Sequence, residues 1–164
     1  MKEEVTLVIA TEADAEKIHA MKYKAFLPLY EKYHDDETNP AMEKIEKVIR
    51  QIRNEGSAYY LICMGEENVG AIRILQRKNE VGFIPGAYKI SPLFILPEFQ
   101  NQGIGYATIQ KVFEQYPQAK IWSLDTIKQE KGNCYLYEKC GFVRVGTEKS
   151  INEAMTLVDY EKRL

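Results

Sequence analysis

The stretch that most constrains this chain is Gln-Asn-Gln-Gly-Ile-Gly-Tyr-Ala at residues 100–107. An apolar run, Leu93–Leu96, precedes it, and apolar residues at helical spacing follow it over Ile109–Tyr116. This pattern predicts a strand, a glycine-containing loop and a helix. Gly103 and Gly105 let the backbone approach a ligand closely, and the first turn of a helix carries free N–H groups and a partial positive charge. The stretch therefore predicts a site for a phosphate or pyrophosphate.

Three kinds of phosphate-binding loop precede a helix in this way. A P-loop needs Gly-Lys-Ser/Thr, but Gly105 is followed by Tyr-Ala. A dinucleotide-binding fingerprint needs a small residue where Thr108 stands, although Asp125 is a suitable acidic residue about 20 positions on, so this interpretation is weak but open. The third pattern, Gln/Arg-x-x-Gly-x-Gly/Ala, is matched in full by residues 100–105. Here the chain resembles the GNAT superfamily of acyl-CoA-dependent N-acyltransferases.

A second signature of that family lies at residues 133–142, Asn-Cys-Tyr-Leu-Tyr-Glu-Lys-Cys-Gly-Phe. The residues that match the family pattern are Asn133, Leu136, Tyr137, Lys139, Gly141 and Phe142. The physical pattern agrees, because Asn133 and Tyr137 are four residues apart on one helix face and Gly141 suits the end of a helix. Two signatures in this order, with a predicted strand between them, argue against chance. The resemblance extends from about Ala87 to Lys149.

The resemblance implies an α/β (α+β) fold of the GNAT type, with a central mixed, twisted sheet of about six to seven strands and about four helices, as one domain over residues 1–164. It implies acetyl-CoA as cosubstrate and a primary amine of a small molecule or peptide as acceptor. It also implies a bulged strand that splays from its parallel neighbour, so that pantetheine fills the gap. The implied cofactor-binding residues are Phe94, Ile95, Leu96, Gln100, Asn101, Gln102, Gly103, Ile104, Gly105, Tyr106, Asn133 and Tyr137. Backbone N–H groups near Phe94–Leu96 would hold the thioester carbonyl, and Asn133 would contact CoA or the sheet, cap its helix, or both.

Tyr137 is the catalytic candidate, because the matching tyrosine of the family protonates the departing thiolate. A thiol has a pKa of about 8.5 and a phenol of about 10, so full proton transfer to the thiolate is uphill by ~2 kcal/mol. Unless its pKa is lowered, Tyr137 is therefore expected mainly to hydrogen-bond the thiolate; a purely structural core tyrosine is the alternative. The general base is open: Glu98, Asp125, Asp35 and Asp36 are candidates, and a chain of water molecules would also serve.

The acceptor side is indicated by charged residues. The loop Tyr33–Asn39 contains the acidic residues 35–37, and the resemblance places such a loop beside the acceptor. The loop either attracts a cationic amine or is a solvated acidic surface. Arg73 interrupts an apolar strand and points either into the acceptor cleft or to the exposed face. If these residues and Asp125 line one cleft, a zwitterionic acceptor such as an amino acid or polyamine derivative is expected.

Composition excludes several classes of protein. With 45% hydrophobic and 28% charged residues the chain is an ordinary globular protein, and a net charge of −2 argues against a nucleic-acid partner. No apolar run is long enough for a membrane span, and no signal peptide is expected. Cys63, Cys134 and Cys140 show no metal-binding spacing, so no metal and a cytoplasmic location are expected. A monomer or a homodimer is expected.

Besides nucleotide or NAD binding, which lacks the last small residue of the fingerprint and an early βαβ unit, two functions are weighed. The first is an N-acetyltransferase that uses acetyl-CoA. The second is a non-catalytic acyl-CoA-binding regulatory module, which would keep the phosphate loop but lose the acid. The presence of Tyr137 favours the enzyme.

The remaining pattern predicts the element order β-α-α-β-β-β-α-β-α-β-β. The first helix can break at Pro28, and a second helix begins at Asn39–Pro40 with a side-chain cap. The segment Gln76–Gly86 is predicted as a loop because it contains glycine and proline. Pro92 lies within the strand Ala87–Leu96 and cannot donate to a ladder, so the bulge is expected near it.

Overall fold

The structure, a computed structural model, describes residues 4–164, and in this range the chain forms a seven-stranded sheet and four α-helices. The strands are β1 Val5–Ile9, β2 Ser57–Met64, β3 Glu67–Asn79, β4 Gly82–Ile95, β5 Ile121–Ile127, β6 Val143–Ser150 and β7 Thr156–Arg163. The helices are α1 Ala15–Tyr33, α2 Ile45–Arg53, α3 Ile104–Gln115 and α4 Lys131–Lys139. The predicted fold class and element order are confirmed. None of the helices within residues 4–164 has the length and apolar character needed to cross a membrane.

The sheet consists of two antiparallel parts joined by one parallel pair. Its strand order is β1-β2-β3-β4-β5-β7-β6. β1 to β4 pair antiparallel in sequence, and β5, β7 and β6 form the second antiparallel part. β4 and β5 are parallel, because the chain crosses between them through α3. The two parts are therefore joined in the middle of β4, and the end of this strand, directly before the predicted phosphate loop, is not paired with β5.

β4 and β5 separate after a short contact of three residue pairs, Ala87–Lys89 against Ile121–Ser123. Beyond it, β4 is bulged, because Ser91 and Pro92 together face the single residue Arg73 of β3. Pro92 has no N–H to give to a neighbouring strand. The bulge and the separation leave a gap between β4 and β5, as the resemblance implies.

Side chains alternate across the sheet and form a core on each face. In β2, Tyr60 and Ile62 face the core built with α3 and α4, whereas Tyr59 and Leu61 face the core built with α1 and α2. Trp122 of β5 is fully buried among aromatic rings on the α3 side. The sheet is therefore the middle of three layers, and the gap beside β4 lies between helices of both outer layers.

α1 runs through Pro28 to Tyr33, so the helix does not break where the sequence allows it. A proline removes one helical hydrogen bond, but tertiary contacts hold the turns that follow. Tyr33 is buried against Ile127 and Met155. Its hydroxyl donates to the carboxylate of Glu130, immediately before α4, over 2.5 Å. Packing therefore outweighs the local effect of the proline.

The helix predicted from Asn39–Pro40 is interrupted, because a single 3-10 turn ends at Met42 and α2 begins only at Ile45. The predicted cap is present, because Oδ1 of Asn39 accepts the backbone N–H of Ala41 over 2.8 Å. Between the turn and α2, Glu43 has extended backbone angles of −73° and 145°. This conformation directs its carboxylate toward α1.

Glu43 forms an ion-paired cluster that ties α1 to the start of α2. Its Oε2 lies 2.5 Å from Nζ of Lys22, whose side chain is 2% exposed, and its Oε1 lies 2.7 Å from Nζ of Lys47. Burial lowers the pKa of Lys22, and the hydrogen bond to Glu43 opposes this. Burial acts to raise the pKa of Glu43, but the hydrogen bonds from the two lysines outweigh it and leave the pKa lowered. The fold therefore favours the ionised carboxylate.

The segment Gln76–Gly86, predicted as a loop, instead belongs to a long hairpin. β3 extends to Asn79 and β4 begins at Gly82. Asn79 Oδ1 accepts the backbone N–H groups of Val81 and Gly82 over 2.9 and 3.2 Å, which holds the turn. Pro85 is accommodated because it lies in a part of β4 that is out of register with β3.

We predict that Glu43→Gln lowers the free energy of unfolding by about 3 kcal/mol at neutral pH, because it leaves the buried Lys22 without a counter-charge. Since the folded-state pKa of Glu43 is lowered, its stabilisation is present above the unfolded pKa and is lost as the pH falls through the folded one. The difference between variant and wild type should therefore shrink below about pH 4.

Urea unfolding at several pH values measures this difference. Glu46→Gln is the matched control, because Glu46 is exposed on α2. An equal loss in both variants, or a loss that does not change with pH, would contradict the assignment.

Candidate active site

Two cavities open on either side of the gap between β4 and β5. The larger, about 640 Å³, is lined by the turn Gln100–Tyr106 and by α4, and we call it the loop cavity. The smaller, about 360 Å³, is lined by Arg73, α1 and β5, and we call it the Arg73 cavity. The residues that line both cavities are Phe26, Leu29, Leu93, Asn133 and Tyr137. The cavities therefore meet where α4 faces the bulged part of β4.

The turn before α3 leaves backbone N–H groups free. Asn101 and Gly103 have left-handed φ angles of 62° and 79°, and α3 begins at Ile104. The N–H of Ala107 donates to the Gly103 carbonyl, so the amides of residues 104–106 have no acceptor within the helix. A Cβ added at Gly103 would meet no atom within 4 Å, so this side of the turn is open. The turn therefore presents N–H donors that suit a phosphate.

Gly105 has a different role from Gly103. A Cβ at Gly105 would lie 3.0 Å from Cδ2 of Leu136, so the glycine lets α3 and α4 pack closely. Nearby, Nζ of Lys139 lies 4.5 Å from the centre of the Tyr106 ring, and both residues line the loop cavity. The close packing therefore brings a cation of α4 beside the free amides.

The edge of β4 that faces the gap offers backbone groups. The N–H of Leu96 donates to the carbonyl of Val69 in β3 over 2.8 Å. Since successive residues of a strand point to opposite sides, the N–H groups of Ile95 and Leu93 are directed away from β3 and toward the gap. The side chain of Gln100 donates to the Ile95 carbonyl over 2.9 Å, which fastens the turn to the bulged strand.

The structure brings together most of the residues that the sequence predicts for cofactor binding. Those that line the loop cavity are Phe94, Ile95, Gln100, Asn101, Gly103, Ile104, Gly105, Tyr106, Asn133 and Tyr137. Leu96 does not line it, because its side chain packs into the core with α1 and α2. Gln102 does not line it either, and its side chain donates to the Glu98 carbonyl over 3.4 Å. Asn133 is not a helix cap, because α4 begins earlier, after Glu130.

Tyr137 is held at the junction of the cavities by the end of α4. The N–H of Phe142 donates to the Tyr137 carbonyl and the N–H of Gly141 to the Glu138 carbonyl, both over 3.0 Å, which is a Schellman motif. The Tyr137 ring packs against that of Phe142 at 6.1 Å between centroids. Burial raises the pKa of the Tyr137 hydroxyl, and the negative charge of Asp125 adds to this effect. The hydroxyl therefore stays protonated around neutral pH and acts as a hydrogen-bond donor.

Charged groups of both signs line the Arg73 cavity, including the ion-paired cluster described above. Nε of Arg73 donates to the carbonyl of Ser91 over 2.6 Å, and Nη1 donates to Oγ of Ser57 over 3.4 Å. Burial lowers the pKa of Arg73. Across the cavity, Oδ2 of Asp125 lies 3.5 Å from Nζ of Lys89. Arg73 and Asp125, which the sequence suggested for one cleft, thus line the same cavity.

The acidic loop between α1 and α2 is arranged differently from the predicted cation-attracting surface. Of its acidic residues only Asp35 lines the Arg73 cavity, and its carboxylate accepts hydrogen bonds from Thr38 and Asn39 over 3.0 and 3.2 Å. Asp36 and Glu37 do not line it. Asp36 instead accepts the hydroxyl of a tyrosine in α1 over 2.5 Å. Asp36 and Glu37 therefore do not face the cavity, and Asp35, which does, is already hydrogen-bonded within its own loop.

Sequence reasoning missed the polar residues that α1, α2 and the turn between them place in the Arg73 cavity, which are Lys22, Glu43, Lys47 and Gln51. A signal was present in the helical spacing. Lys22 follows the buried Ile18 by four residues, and Gln51 follows the buried Val48 by three. Both polar residues therefore lie on the buried stripes of their helices.

The family model for the acetyltransferase (GNAT) domain matches residues 30–164, which include the turn before α3 and all of α4. This match spans most of the chain, so the protein belongs to the GNAT acetyltransferase family, and the resemblance found in the two signatures is confirmed. The uncharacterized protein YrkN of Bacillus subtilis strain 168 is 28% identical over 142 residues, which are 84% of this chain and 72% of that protein.

Solved structures share the fold at lower identity. An acetyltransferase from Thermus thermophilus has a TM-score of 0.74 at 18% identity, with 100% of both chains covered. Spermidine N-acetyltransferase from Vibrio cholerae, in complex with CoA and spermine, has a TM-score of 0.75 at 17% identity, covering 98% of this chain and 95% of that one. AAC(6')-Ib, in complex with ribostamycin and coenzyme A, has a TM-score of 0.73 at 19% identity, covering 98% and 94%.

We predict that CoA binds in the loop cavity and raises the melting temperature by roughly 5–10 °C at about 100 times its dissociation constant. NAD and ATP should raise it far less, because the turn lacks the lysine of a P-loop and the third small residue of a dinucleotide fingerprint. A thermal-shift titration measures the difference. Absence of stabilisation by millimolar CoA would remove the basis for this binding site.

Gly103→Val should abolish the CoA response, because valine is strained at a φ of 79° and its side chain enters the open side of the turn. Gly82→Val is the matched control. Gly82 also has a positive φ, of 143°, and free space for a Cβ, but it lies in the β3–β4 turn and lines neither cavity. Both variants should lose some stability, and only Gly103→Val should lose the response; an equal loss of response in both contradicts the prediction.

Proposed function

We propose that this protein is an N-acetyltransferase that transfers an acetyl group from acetyl-CoA to a primary amine of a small molecule or peptide by direct attack. The observation that carries this proposal is the meeting of two cavities at Tyr137. One cavity offers free backbone amides and the other offers charged side chains. Family membership supports the reaction class, and the CoA complexes of two structurally similar proteins support the cosubstrate.

The loop cavity is the proposed cosubstrate site. The amides of residues 104–106 would donate to the pyrophosphate, with Lys139 as a nearby cation. The edge of β4 would face the pantetheine arm in the gap, and the N–H of Ile95 or Leu93 would stabilise the oxyanion of the thioester carbonyl. The sequence assigned the contact with the thioester carbonyl to N–H groups near Phe94–Leu96. The N–H groups of Phe94 and Leu96 point toward β3, so from this range only the N–H of Ile95 can make the contact.

The proposed reaction exchanges a C–S bond for a C–N bond. The neutral amine nitrogen attacks the thioester carbon, the C–S bond breaks, and the sulfur leaves with the electron pair as a thiolate. The surplus proton of the amine passes to a base or to water. The thiolate takes up one proton, so that N-acetylated product and free CoA thiol are formed.

Tyr137 is proposed to stabilise the departing thiolate by a hydrogen bond. Full transfer of its proton to a thiolate is already uphill for a phenol with a pKa of about 10. Because burial raises the pKa of Tyr137 further, the transfer becomes less favourable still. The lowered pKa that direct protonation would require is therefore not found, and solvent supplies the proton after the hydrogen bond has stabilised the charge.

Asp125 is the base that the placement of side chains favours. Glu98 is exposed and lines neither cavity, Asp36 lies outside them, and Asp35 already accepts two side-chain hydrogen bonds. Asp125 lines the Arg73 cavity, and its charge acts on Tyr137. An amine with a pKa of about 8 is roughly one-tenth neutral at pH 7, so a carboxylate acting through water is sufficient for such an acceptor.

A non-catalytic acyl-CoA-binding module has less support, because a binding module has no use for a second cavity that opens onto Tyr137. We propose that residues 1–164 act as one catalytic domain, as a monomer or homodimer. A cytoplasmic location is proposed because all three cysteines are unpaired and buried.

Incubation of the protein with acetyl-CoA and a panel of primary amines tests the proposal. The panel contains amino acids, short peptides, spermidine and ribostamycin, and the readouts are free thiol and the mass of the N-acetylated product. We expect both to appear together for at least one amine. CoA binding without amine-dependent thiol release across the panel would favour the regulatory module.

Tyr137→Phe should lower kcat by roughly 10- to 1,000-fold, because the departing thiolate loses a hydrogen bond, and leave CoA affinity nearly unchanged because the ring remains. Tyr23→Phe, an exposed change on α1 that lines neither cavity, should leave both unchanged. Because the pKa of Tyr137 is raised, ionisation of this group should not reduce kcat between about pH 7 and pH 10. An unchanged kcat in Tyr137→Phe would show that water alone serves the thiolate.

A further inference from the structure

The guanidinium of Arg73 is partly buried and has no acidic partner. Its Nε and Nη1 donate to the neutral oxygens of Ser91 and Ser57. Within residues 4–164, Arg73 forms no ion pair. Removing a cation from water is unfavourable, and burial lowers the pKa of Arg73 although the charge of Glu43 opposes this from a distance. The group therefore favours an anion in the cavity.

The carboxylates at this end of the Arg73 cavity are already engaged. The two oxygens of Glu43 are bound by Lys22 and Lys47. The two oxygens of Asp35 accept hydrogen bonds from the side chains of Thr38 and Asn39. Of the three cations that line the cavity, Lys22 and Lys47 both pair with Glu43, and the third lining carboxylate, Asp125, pairs with Lys89. Among these lining cations of residues 4–164, Arg73 alone forms no ion pair.

A second group in the same cavity also lacks a partner. Oε1 of Gln51 is buried and has no hydrogen-bond donor, and the residue is 8% exposed. The backbone carbonyl of Gln51 accepts the hydroxyl of Ser57 over 2.8 Å, and that hydroxyl accepts from Arg73, so the backbone of α2 is linked to the guanidinium through Ser57. A buried acceptor without a donor is unfavourable, but Oε1 of Gln51 is closed off from the cavity. The cavity wall therefore presents Arg73 as its cation without an ion pair.

We propose that Arg73 binds a carboxylate of the acceptor, and that the acceptor is a small amine that carries this carboxylate. The proposal rests on the acetyltransferase function proposed above and names its substrate class. A planar guanidinium matches a carboxylate through parallel N–H···O bonds. The reacting amine then lies at the other end of the molecule, toward Asp125 and Tyr137.

The dimensions of the cavity fit such a molecule. A volume of about 360 Å³ equals the space of about twelve water molecules, which suits an amino acid or a dipeptide. Along β4, Ser91 is bound by Arg73, and Leu93, two residues on, lines both cavities. At about 3.3 Å per residue these positions are roughly 7 Å apart or less. A spacer of a few bonds therefore connects the carboxylate to an amine at the junction.

Matched acceptors test the proposal on the wild-type protein. Each pair consists of an amino acid and its carboxamide, and a series from glycine to γ-aminobutyrate varies the distance between amine and carboxylate. Only the neutral amine reacts, and the carboxylate of an amino acid raises the pKa of its amine above that of the carboxamide, so kcat/KM is compared per neutral amine. On this basis we expect kcat/KM for the preferred acids to exceed that for their carboxamides by about 10- to 100-fold, the range for a charged hydrogen bond. Equal or faster reaction of the carboxamides per neutral amine would overturn the proposal, and this comparison needs no variant.

Arg73→Gln should remove the preference by raising KM for the acids about 10- to 100-fold, while the carboxamides change by less than about twofold. Arg77→Gln is the matched control, because Arg77 lies four residues on in β3 and lines neither cavity. The thermal shift with CoA should be the same in both variants and wild type. A loss of the CoA response in Arg73→Gln, or an equal loss of activity with acids and carboxamides, would assign Arg73 to support of the bulge alone.

Binding without turnover separates this proposal from the proposed function. N-acetyl amino acids and their carboxamides are titrated by thermal shift in the presence of CoA. If the acids stabilise the wild type but not Arg73→Gln, the carboxylate site is supported. This holds even if no amine releases thiol, and in that case only the proposed acetyltransferase function fails. If thiol is released equally with acids and with carboxamides, the acetyltransferase function is supported and the carboxylate site is contradicted.

Discussion

The short contact between β4 and β5 is the constraint on which the rest of the structure depends. Three residue pairs join the two antiparallel parts of the sheet, and the bulge at Ser91–Pro92 then leads β4 away. Continued pairing would satisfy the edge of β4 and close the space between the cavities. Because pairing stops, the amides of Leu93 and Ile95, the turn before α3 and the hydroxyl of Tyr137 all face one opening. The unpaired edge of β4 thus leaves the opening and also lines it with polar backbone groups.

The same bulge sets the electrostatics of the smaller cavity. Arg73 stands opposite two residues of β4, and its Nε binds the Ser91 carbonyl within the irregular part of the ladder. This contact holds a guanidinium in the cavity wall, while the cluster of Lys22, Glu43 and Lys47 holds α1 and α2 on the other side. Burying charge is unfavourable unless hydrogen bonds and counter-charges offset it. Glu43 has both in the folded chain, whereas Arg73 has hydrogen bonds and no ion pair within residues 4–164. This difference is the basis of the proposal that Arg73 binds a ligand anion.

Local signals predicted the elements that depend on neighbours in sequence. The Asn39 cap, the Gly141 helix end and the strand, loop and helix around residues 100–107 are present, because their hydrogen bonds join residues a few positions apart. The break that the sequence allows at Pro28 does not occur, and the loop predicted at Gln76–Gly86 was wrong. In the first case the packing of the last turns of α1, and in the second the pairing of β4 with β3, supplied contacts that outweigh a missing proline N–H.

The sequence by itself determined the family, the order of the elements and the glycine-containing turn before α3, because contiguous residues carry each of these. The tertiary structure decided which polar residues share a cavity. It placed Leu96 and Gln102 away from the loop cavity, engaged Asp35 within its own loop, and brought Gln51 and Arg73 to one cavity. The physical reason is that a cavity wall is assembled from side chains distant in sequence. Whether a charged group binds a ligand or a neighbour depends on partners that only folding brings within reach.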